Sequence, residues 1–318
     1  MDIKQVTMVA KGKLELQTVT MDVEMLAPDE VAGPTLASMI SPGTEIQGCL
    51  LGDNFPRTSG YASVFRIEQV GREVTGYKPG DIAFCLGNHR SYQKIQIPTL
   101  AKVPDTLDPK DACCARFMGV SMTTLTTTNI RPPAKVLIMG LGLVGNMAAR
   151  LFDCCGYSVF AVDPVDDRCK QLATNSRCTV SQSTPHRQDM DLVIDCTGHE
   201  QAVYDGSNTL RKGGELVLIG VPWRRRADLQ AFEILSNVFR RYIHLRSGWE
   251  WEIPRIRGDF DRASIWSNLQ GAVNWLNEKR LIVDGIYDVQ SPDQCQQAYD
   301  RLTKQGDGPL TTVFDWTR

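Results

Sequence analysis

The stretch Lys135-Val-Leu-Ile-Met-Gly140-Leu-Gly142-Leu-Val-Gly145-Asn-Met-Ala-Ala-Arg150, followed by Ser158-Val-Phe-Ala-Val-Asp163, decides the fold. A short apolar run enters a glycine triplet, a small-residue helix leaves it, and a second apolar run ends on an acid. Gly140 lets the chain turn sharply off the first strand, Gly142 lets the backbone approach a pyrophosphate, and Gly145 lets the helix pack closely on the sheet. The first helical turn, at Leu143 and Val144, then faces the phosphates with free N–H groups. Asp163, at the tip of the second strand, is placed to accept hydrogen bonds from both adenosine ribose hydroxyls. A carboxylate there repels a 2′-phosphate, which selects NAD over NADP. The bland alternative, a glycine turn that binds nothing, does not account for strand, triplet, helix, strand and acid occurring in that order.

Working outward, residues 119–248 alternate strand and helix, with strands expected at Val136–Met139, Ser158–Asp163, Cys178–Ser181, Leu192–Cys196, Glu215–Val221 and Ile243–Arg246. Six strands with helical connections make an α/β, doubly wound parallel sheet. Runs such as Glu215-Leu-Val-Leu-Ile-Gly220 suit strands buried on both faces. Residues 1–118 are β-rich, their short apolar segments divided by Gly and Pro, which predicts a small barrel. Residues 249–318 hold helices near Ile265–Lys279 and Pro292–Lys304 and a last strand at Leu310–Phe314, too little for a separate core. They are expected to return to the N-terminal part, so that the sheet domain is inserted into a split partner.

Composition narrows the function. Of 318 residues, 42% are hydrophobic and 23% charged, the balance of a soluble globular protein, and the formal net charge of −2 gives no reason to expect nucleic acid or a membrane surface as partner. The start, Met1-Asp-Ile-Lys-Gln-Val-Thr, has no secretory apolar run, and no stretch reaches the roughly eighteen apolar residues of a membrane span. A cytoplasmic protein is expected. The ten cysteines include the vicinal pairs Cys113-Cys114 and Cys154-Cys155 but no C-x-x-C, so reduced, mostly buried thiols are expected.

The chain resembles a medium-chain dehydrogenase/reductase of the alcohol dehydrogenase-like superfamily over nearly its whole length. The likeness is carried by the Gly140–Gly145 turn, Asp195-Cys196-Thr197-Gly198, and Gly213-Gly-Glu-Leu-Val-Leu-Ile-Gly220-Val221-Pro222. It implies a doubly wound parallel Rossmann sheet inserted into a β-rich, barrel-like (GroES-like) catalytic domain. It also implies backbone contact of Val221 and Pro222 with the nicotinamide amide, Arg168 beside the adenine or ribose, and Cys196, Thr197 and Gly220 at the cofactor. Members commonly pair edge to edge through the last strand of the nucleotide sheet, which implies a homodimer with Tyr242-Ile-His-Leu-Arg246 at the edge.

The departures from that family are informative. Zinc-dependent members carry Cys-Gly-Ser/Thr-Asp and Gly-His-Glu motifs, whereas this chain has Ile40-Ser41-Pro42-Gly43-Thr44-Glu45, then Gly60-Tyr61-Ala62, and Ala115-Arg116 near the third ligand position. None supplies the thiolates and imidazoles that zinc prefers, so no metal is expected. The set resembles a short, zinc-poor branch that includes bacteriochlorophyllide-type dehydrogenases, though nothing points to a tetrapyrrole. Gly198-His199-Glu200 spells the zinc motif on the wrong domain and is taken as a polar loop.

Without a metal, side chains must handle the hydroxyl proton. Tyr61 stands where the imidazole ligand would be and serves if its pKa is lowered. Thr44 and Glu45 occupy relay positions, His89 titrates near neutrality and is a candidate general base, and Arg116 is a candidate for holding an oxyanion. Structural alternatives stand beside each: Tyr61 as filler, Glu45 as a loop fastener, His89 in a surface turn, Arg116 in an ion pair. Trp249 and Trp251 suit either a sugar face or a subunit contact. Arg224-Arg-Arg226 suits an anion or a solvated loop. The function expected is an NAD-dependent, zinc-independent dehydrogenase acting on a secondary alcohol, with polyols, sugars or cyclitols as the class of small-molecule substrate. The alternatives are a zinc-free reductase of activated C=C bonds or quinones, and an NAD-binding protein with little turnover.

Overall fold

The computed structural model describes residues 1–23, 25–304 and 308–318. The chain forms two units, residues 1–116 with 269–318 and residues 117–268.

In the first unit a hairpin of β1 (Asp2–Ala10) and β2 (Lys13–Thr20) precedes β3 (Glu30–Met39), the strand on which the unit is built. One end of β3 pairs antiparallel with β4 (Ser63–Arg66), which pairs with β5 (Ile82–Cys85); the other end pairs with β6 (Tyr92–Gln96). A short strand β7 (Ala101–Val103) closes on β5. β4 ends at Arg66, where Ile67 N–H turns to Asp81 O and Glu68 N–H to Ala32 O.

The second unit holds β8 (Lys135–Met139), α1 (Leu143–Cys154), β9 (Ser158–Val162), α2 (Asp166–Thr174), β10 (Thr179–Ser181) and β11 (Met190–Asp195). They are followed by α3 (Glu200–Thr209), β12 (Leu210–Leu218), α4 (Ala231–Arg241) and β13 (His244–Ser247). The strand order is β10-β9-β8-β11-β12-β13, and every pairing is parallel. This is the doubly wound order in which ligands bind at the carboxyl ends of the strands. Alternation along β8 explains why both faces are covered. Val136 and Ile138 meet Ala148, Ala149 and Phe152 of α1, whereas Leu137 and Met139 meet Val203 of α3 and Leu216. β12 ends at Leu218 rather than Val221, because Ile219 and Gly220 both turn their N–H groups to Asp195 O.

The chain then returns to the first unit through β14 (Tyr287–Gln290), α5 (Cys295–Thr303) and β15 (Thr311–Asp315). β15 pairs antiparallel with β3 through Val313–Met39, Phe314–Ser38 and Asp315–Ala37, and Tyr299 of α5 packs with Val6, Ile46 and Phe314. The C-terminal return thus completes the β-rich core. The structure has an α/β Rossmann sheet together with a GroES-like β domain, as the resemblance implies. Among the described residues no cysteine forms a disulfide. Among the described residues, no helix is long and apolar enough to cross a membrane.

Candidate functional site

In the second unit the glycines behave as local sterics require. Gly140 has φ +87°, and an added Cβ would lie 2.6 Å from Thr197 Cγ2. At Gly145 a Cβ would fall 1.8 Å from Gly140 O and 3.2 Å from Cys196 Cβ, so α1 lies against the turn only because residue 145 is glycine. Around Gly142 nothing lies within 4 Å, and α1 begins there with no side-chain cap. An uncapped helix start beside open space is a fit for an anionic group. Gly198 and Gly220 bring the ends of β11 and β12 together, for a Cβ on Gly220 would be 2.1 Å from Gly198 N. Gly140, Leu143, Val144, Cys196, Thr197, Gly220 and Val221 therefore belong to one cradle, with Val221 42% exposed at its rim and Pro222 exposed after it.

Asp195 and Asp163 fasten this cradle. Asp195 accepts from Thr197 N at 3.0 Å, Thr197 Oγ1 at 2.5 Å and Gly198 N at 3.1 Å; burial raises its carboxyl above the usual range, and those bonds oppose the rise. Burial pushes the Cys196 thiol well up, so it is a packing group and not a thiolate. Asp163 accepts from Leu141 N at 2.7 Å and Val165 N at 2.9 Å, and pairs with Arg168 at 3.2 Å. The carboxylate expected to face a ribose is thus also the clasp of the Gly140 turn. Arg168, expected beside the adenine, lies on that same carboxylate.

The first unit holds a second polar cluster. Pro42–Leu50 is a wide, π-helical turn entered through Ser41, and Glu45 reaches back so that its Oε1 accepts Ser41 N–H at 2.7 Å. Glu45 is 1% and His89 0% exposed. His89 Nε2 lies 3.1 Å from Glu45 Oε2 and Nδ1 lies 2.8 Å from Ser38 Oγ, while Phe314 meets the imidazole edge-on at 5.2 Å. Tyr299 donates its hydroxyl to Glu45 Oε2 and lies 3.2 Å from Ser59 Oγ. Gly60, at φ +93°, allows the close pass: a Cβ there would be 2.6 Å from His89 N.

Tyr61 stands in front of this cluster. Its hydroxyl donates to Ser41 Oγ at 2.5 Å, and the Arg116 guanidinium lies over its ring at 4.8 Å. Burial pushes the phenol above its ordinary value, against the opposing pull of Arg116 and hydrogen bonds from Ser41 and Thr44, while Glu45 adds to the rise. A lowered phenol is what the sequence reasoning asks for, and the shift runs the other way. His89 also differs from expectation. Its turn is interior, both ring nitrogens are engaged by protein groups, and no surface is left from which to act as general base. Arg116 is buried against Tyr61, so the structure joins Tyr61, Thr44, Glu45, His89 and Arg116 in one cluster. Trp249 and Trp251 lie outside it, exposed on the loop after β13 in the other unit. Ser38, Ser41, Ser59, Tyr299 and Trp316 were not predicted, since only the chain's return brings Tyr299 and Trp316 there. His199 is explained without chemistry: its Nδ1 caps α3 by accepting from Gln201 N at 3.2 Å.

The donor set does not fit zinc. Among the described residues no group of three or more His, Cys, Asp or Glu could hold a metal ion, and Glu45 and His89 are spent on each other and on Tyr299 and Ser38.

Fold and cradle are similar to those of dinucleotide-binding proteins built on a doubly wound parallel sheet. Residues 111–197 match the family described as alanine dehydrogenase/PNT, C-terminal domain. An alcohol dehydrogenase of Geobacillus stearothermophilus is 28% identical over 45% of this chain, a match that spans 44% of that enzyme's length. D-guloside 3-dehydrogenase of Escherichia coli is 24% identical over 74% of this chain and 69% of its own. Galactitol-1-phosphate dehydrogenase of Escherichia coli superposes with a TM-score of 0.82 at 16% identity, over 98% of this chain and 99% of that one. Alcohol dehydrogenase TADH of Thermus sp. ATN1 does so with 0.80 at 17%, over 98% and 99%. The chain is thus similar in sequence to alcohol and sugar dehydrogenases and shares the fold of the solved ones.

Proposed function

We propose that the protein is an NAD-linked dehydrogenase that moves hydride between a secondary alcohol and its ketone, with polyols, sugars or cyclitols as the substrate class and no zinc in the proton step. The observation that carries the chemistry is the Tyr61 hydroxyl paired with Ser41 Oγ beside the Arg116 guanidinium. Bound NAD would supply the hydride acceptor. Gly140, Gly142, Leu143 and Val144 would hold its pyrophosphate, Asp163 its ribose hydroxyls, and Val221 and Pro222 its amide. When a ketone takes hydride, negative charge grows on its oxygen, and a neutral phenol is suited to donate to it. Arg116 adds positive charge at the same place; Thr44 and Glu45 set the Ser41 loop; Trp249 and Trp251 offer faces for a sugar ring. The relative named for a guloside supports the substrate class.

We also propose a homodimer. β13 ends the sheet, and Phe232, Leu235 and Phe239 of α4 lie at helical spacing on a face that is exposed, Phe239 by 84%, beside exposed Tyr242 and Leu245. An apolar edge of this kind calls for a partner.

The test is a fluorescence titration with NADH and NADPH, with metal content measured on the same sample, followed by hydride-transfer assays on a panel of secondary polyols. NADH is expected to bind more tightly. Y61F is expected to lower kcat by about 10²–10⁴-fold without changing NADH affinity. Tight NADPH binding, or one zinc per chain, refutes the assignment of Asp163 or of the Tyr61 cluster.

A further inference from the structure

Behind Tyr61, every polar hydrogen can be given an acceptor. Ser38, His89 and Tyr299 have no exposed surface, so their donors must be satisfied within the protein. Trp316 Nε1–H, which can only donate, points to Ser38 Oγ at 2.8 Å. Ser38 carries one proton of its own, and among the described residues its other side-chain neighbour is His89 Nδ1, at 2.8 Å. That proton therefore points to Nδ1, which must be bare. The imidazole proton is on Nε2 and is donated to Glu45 Oε2 at 3.1 Å. Glu45 takes a second donor from Tyr299, and Ser41 N–H supplies a third, at 2.7 Å. Since the Tyr299 proton is spent on Glu45, the Ser59 hydroxyl at 3.2 Å gives its own to the Tyr299 oxygen.

We infer that Trp316 and Tyr299, both carried by the C-terminal return, are positioning residues. Trp316 acts through Ser38 to fix His89 as the neutral Nε2–H tautomer; His89 and Tyr299 then hold the Glu45 carboxylate, which grips Ser41 so that its hydroxyl meets Tyr61. The functional half of this inference rests on the proposed part of Tyr61, whereas the tautomer does not. A fully hydrogen-bonded buried network has one low-energy arrangement, which is what a proton-handling group needs behind it.

The experiment is long-range ¹H–¹⁵N spectroscopy of the full chain labelled at histidine, with ¹³Cζ-labelled tyrosine in a second sample. There are four histidines, so the His89 signals are identified by their loss in H89Q, and the Tyr61 signal by its loss in Y61F. In the wild type, Nδ1 should be bare and Nε2 protonated. S38A and W316F should both lose the single tautomer and give a mixture. The Tyr61 Cζ line should move in W316F and Y299F and stay in Y242F, an exposed control. A wild-type His89 protonated on Nδ1, or doubly protonated, overturns the tautomer assignment even if every variant misfolds. An unmoved Tyr61 line in folded W316F and Y299F overturns the positioning role. Full hydride-transfer activity in Y61F, with the tautomer as described, removes the functional half and leaves the lock standing.

Discussion

The two glycines that differ most in their surroundings, Gly142 and Gly145, should separate binding from folding. At Gly142 the backbone has φ −61° and ψ −177°, open to any residue, and a Cβ meets nothing within 4 Å. Alanine there gains about 0.4–1 kcal/mol by restricting the unfolded chain and loses up to about 1 kcal/mol as a poor helix cap. The two nearly cancel, so melting should change by no more than about 4 °C. The methyl group does, however, fill the open space proposed above for a pyrophosphate. Hydrogen bonds to a charged group contribute roughly 1.5–3 kcal/mol each, so losing one or two weakens NADH binding by about 3 kcal/mol, or roughly 150-fold. At Gly145 the Cβ would stand 1.8 Å from one backbone oxygen, and α1 must move to admit it. Overpacking of that kind costs about 3 kcal/mol, which in a unit of about 150 residues lowers melting by roughly 6–12 °C. Calorimetry and NADH titration of G142A and G145A read both effects. A G142A variant that binds NADH like the wild type, or a G145A variant that melts like it, refutes the cradle.

Alkali should weaken the first unit. Burial raises Tyr77 from 10.0 to about 12 and Cys85 from 9.0 to about 12. The unfolded chain therefore sheds these protons first, and the stability they hold is complete below pH 9 and lost as pH climbs to about 12. Urea midpoints that stay level between about pH 8 and 11 would contradict this. At the proposed subunit contact, F239K and L235K should convert a dimer to monomer in sedimentation equilibrium with melting otherwise preserved; wild-type protein that sediments as a monomer refutes the contact.

The nucleotide half was legible because its constraints are local. Gly140, Gly145 and Asp163 lie within 24 residues of one another in sequence, each is demanded by a turn, a close contact or a strand end, and buried parallel strands announce themselves as apolar runs. The polar cluster was legible only in part. Tyr61 and Glu45 stand out by their positions in the family motif, but Glu45 meets Tyr299 across 254 residues and Ser38 meets Trp316 across 278. No periodicity in the sequence records such pairs. His89 sits in a polar Gly-Asn-His-Arg-Ser turn that reads as surface, yet its backbone N–H bonds to Ser59 O and its carbonyl accepts Val6 N–H, which draws the turn inward.

The same geometry explains what Glu45 does in this cluster. Its side chain is long enough for the carboxylate to reach past the Ser41 turn to His89 and Tyr299 while Oε1 still accepts Ser41 N–H. The acid is thereby held by three donors, Ser41 N–H, His89 and Tyr299. Its charge then works on Tyr61, raising the phenol, while Arg116 on the ring works against it. Burial outweighs Arg116, and the phenol stays neutral. A neutral phenol is suited to donate a proton, and in the hydride transfer proposed above the acceptor of that proton is the oxygen of the ketone.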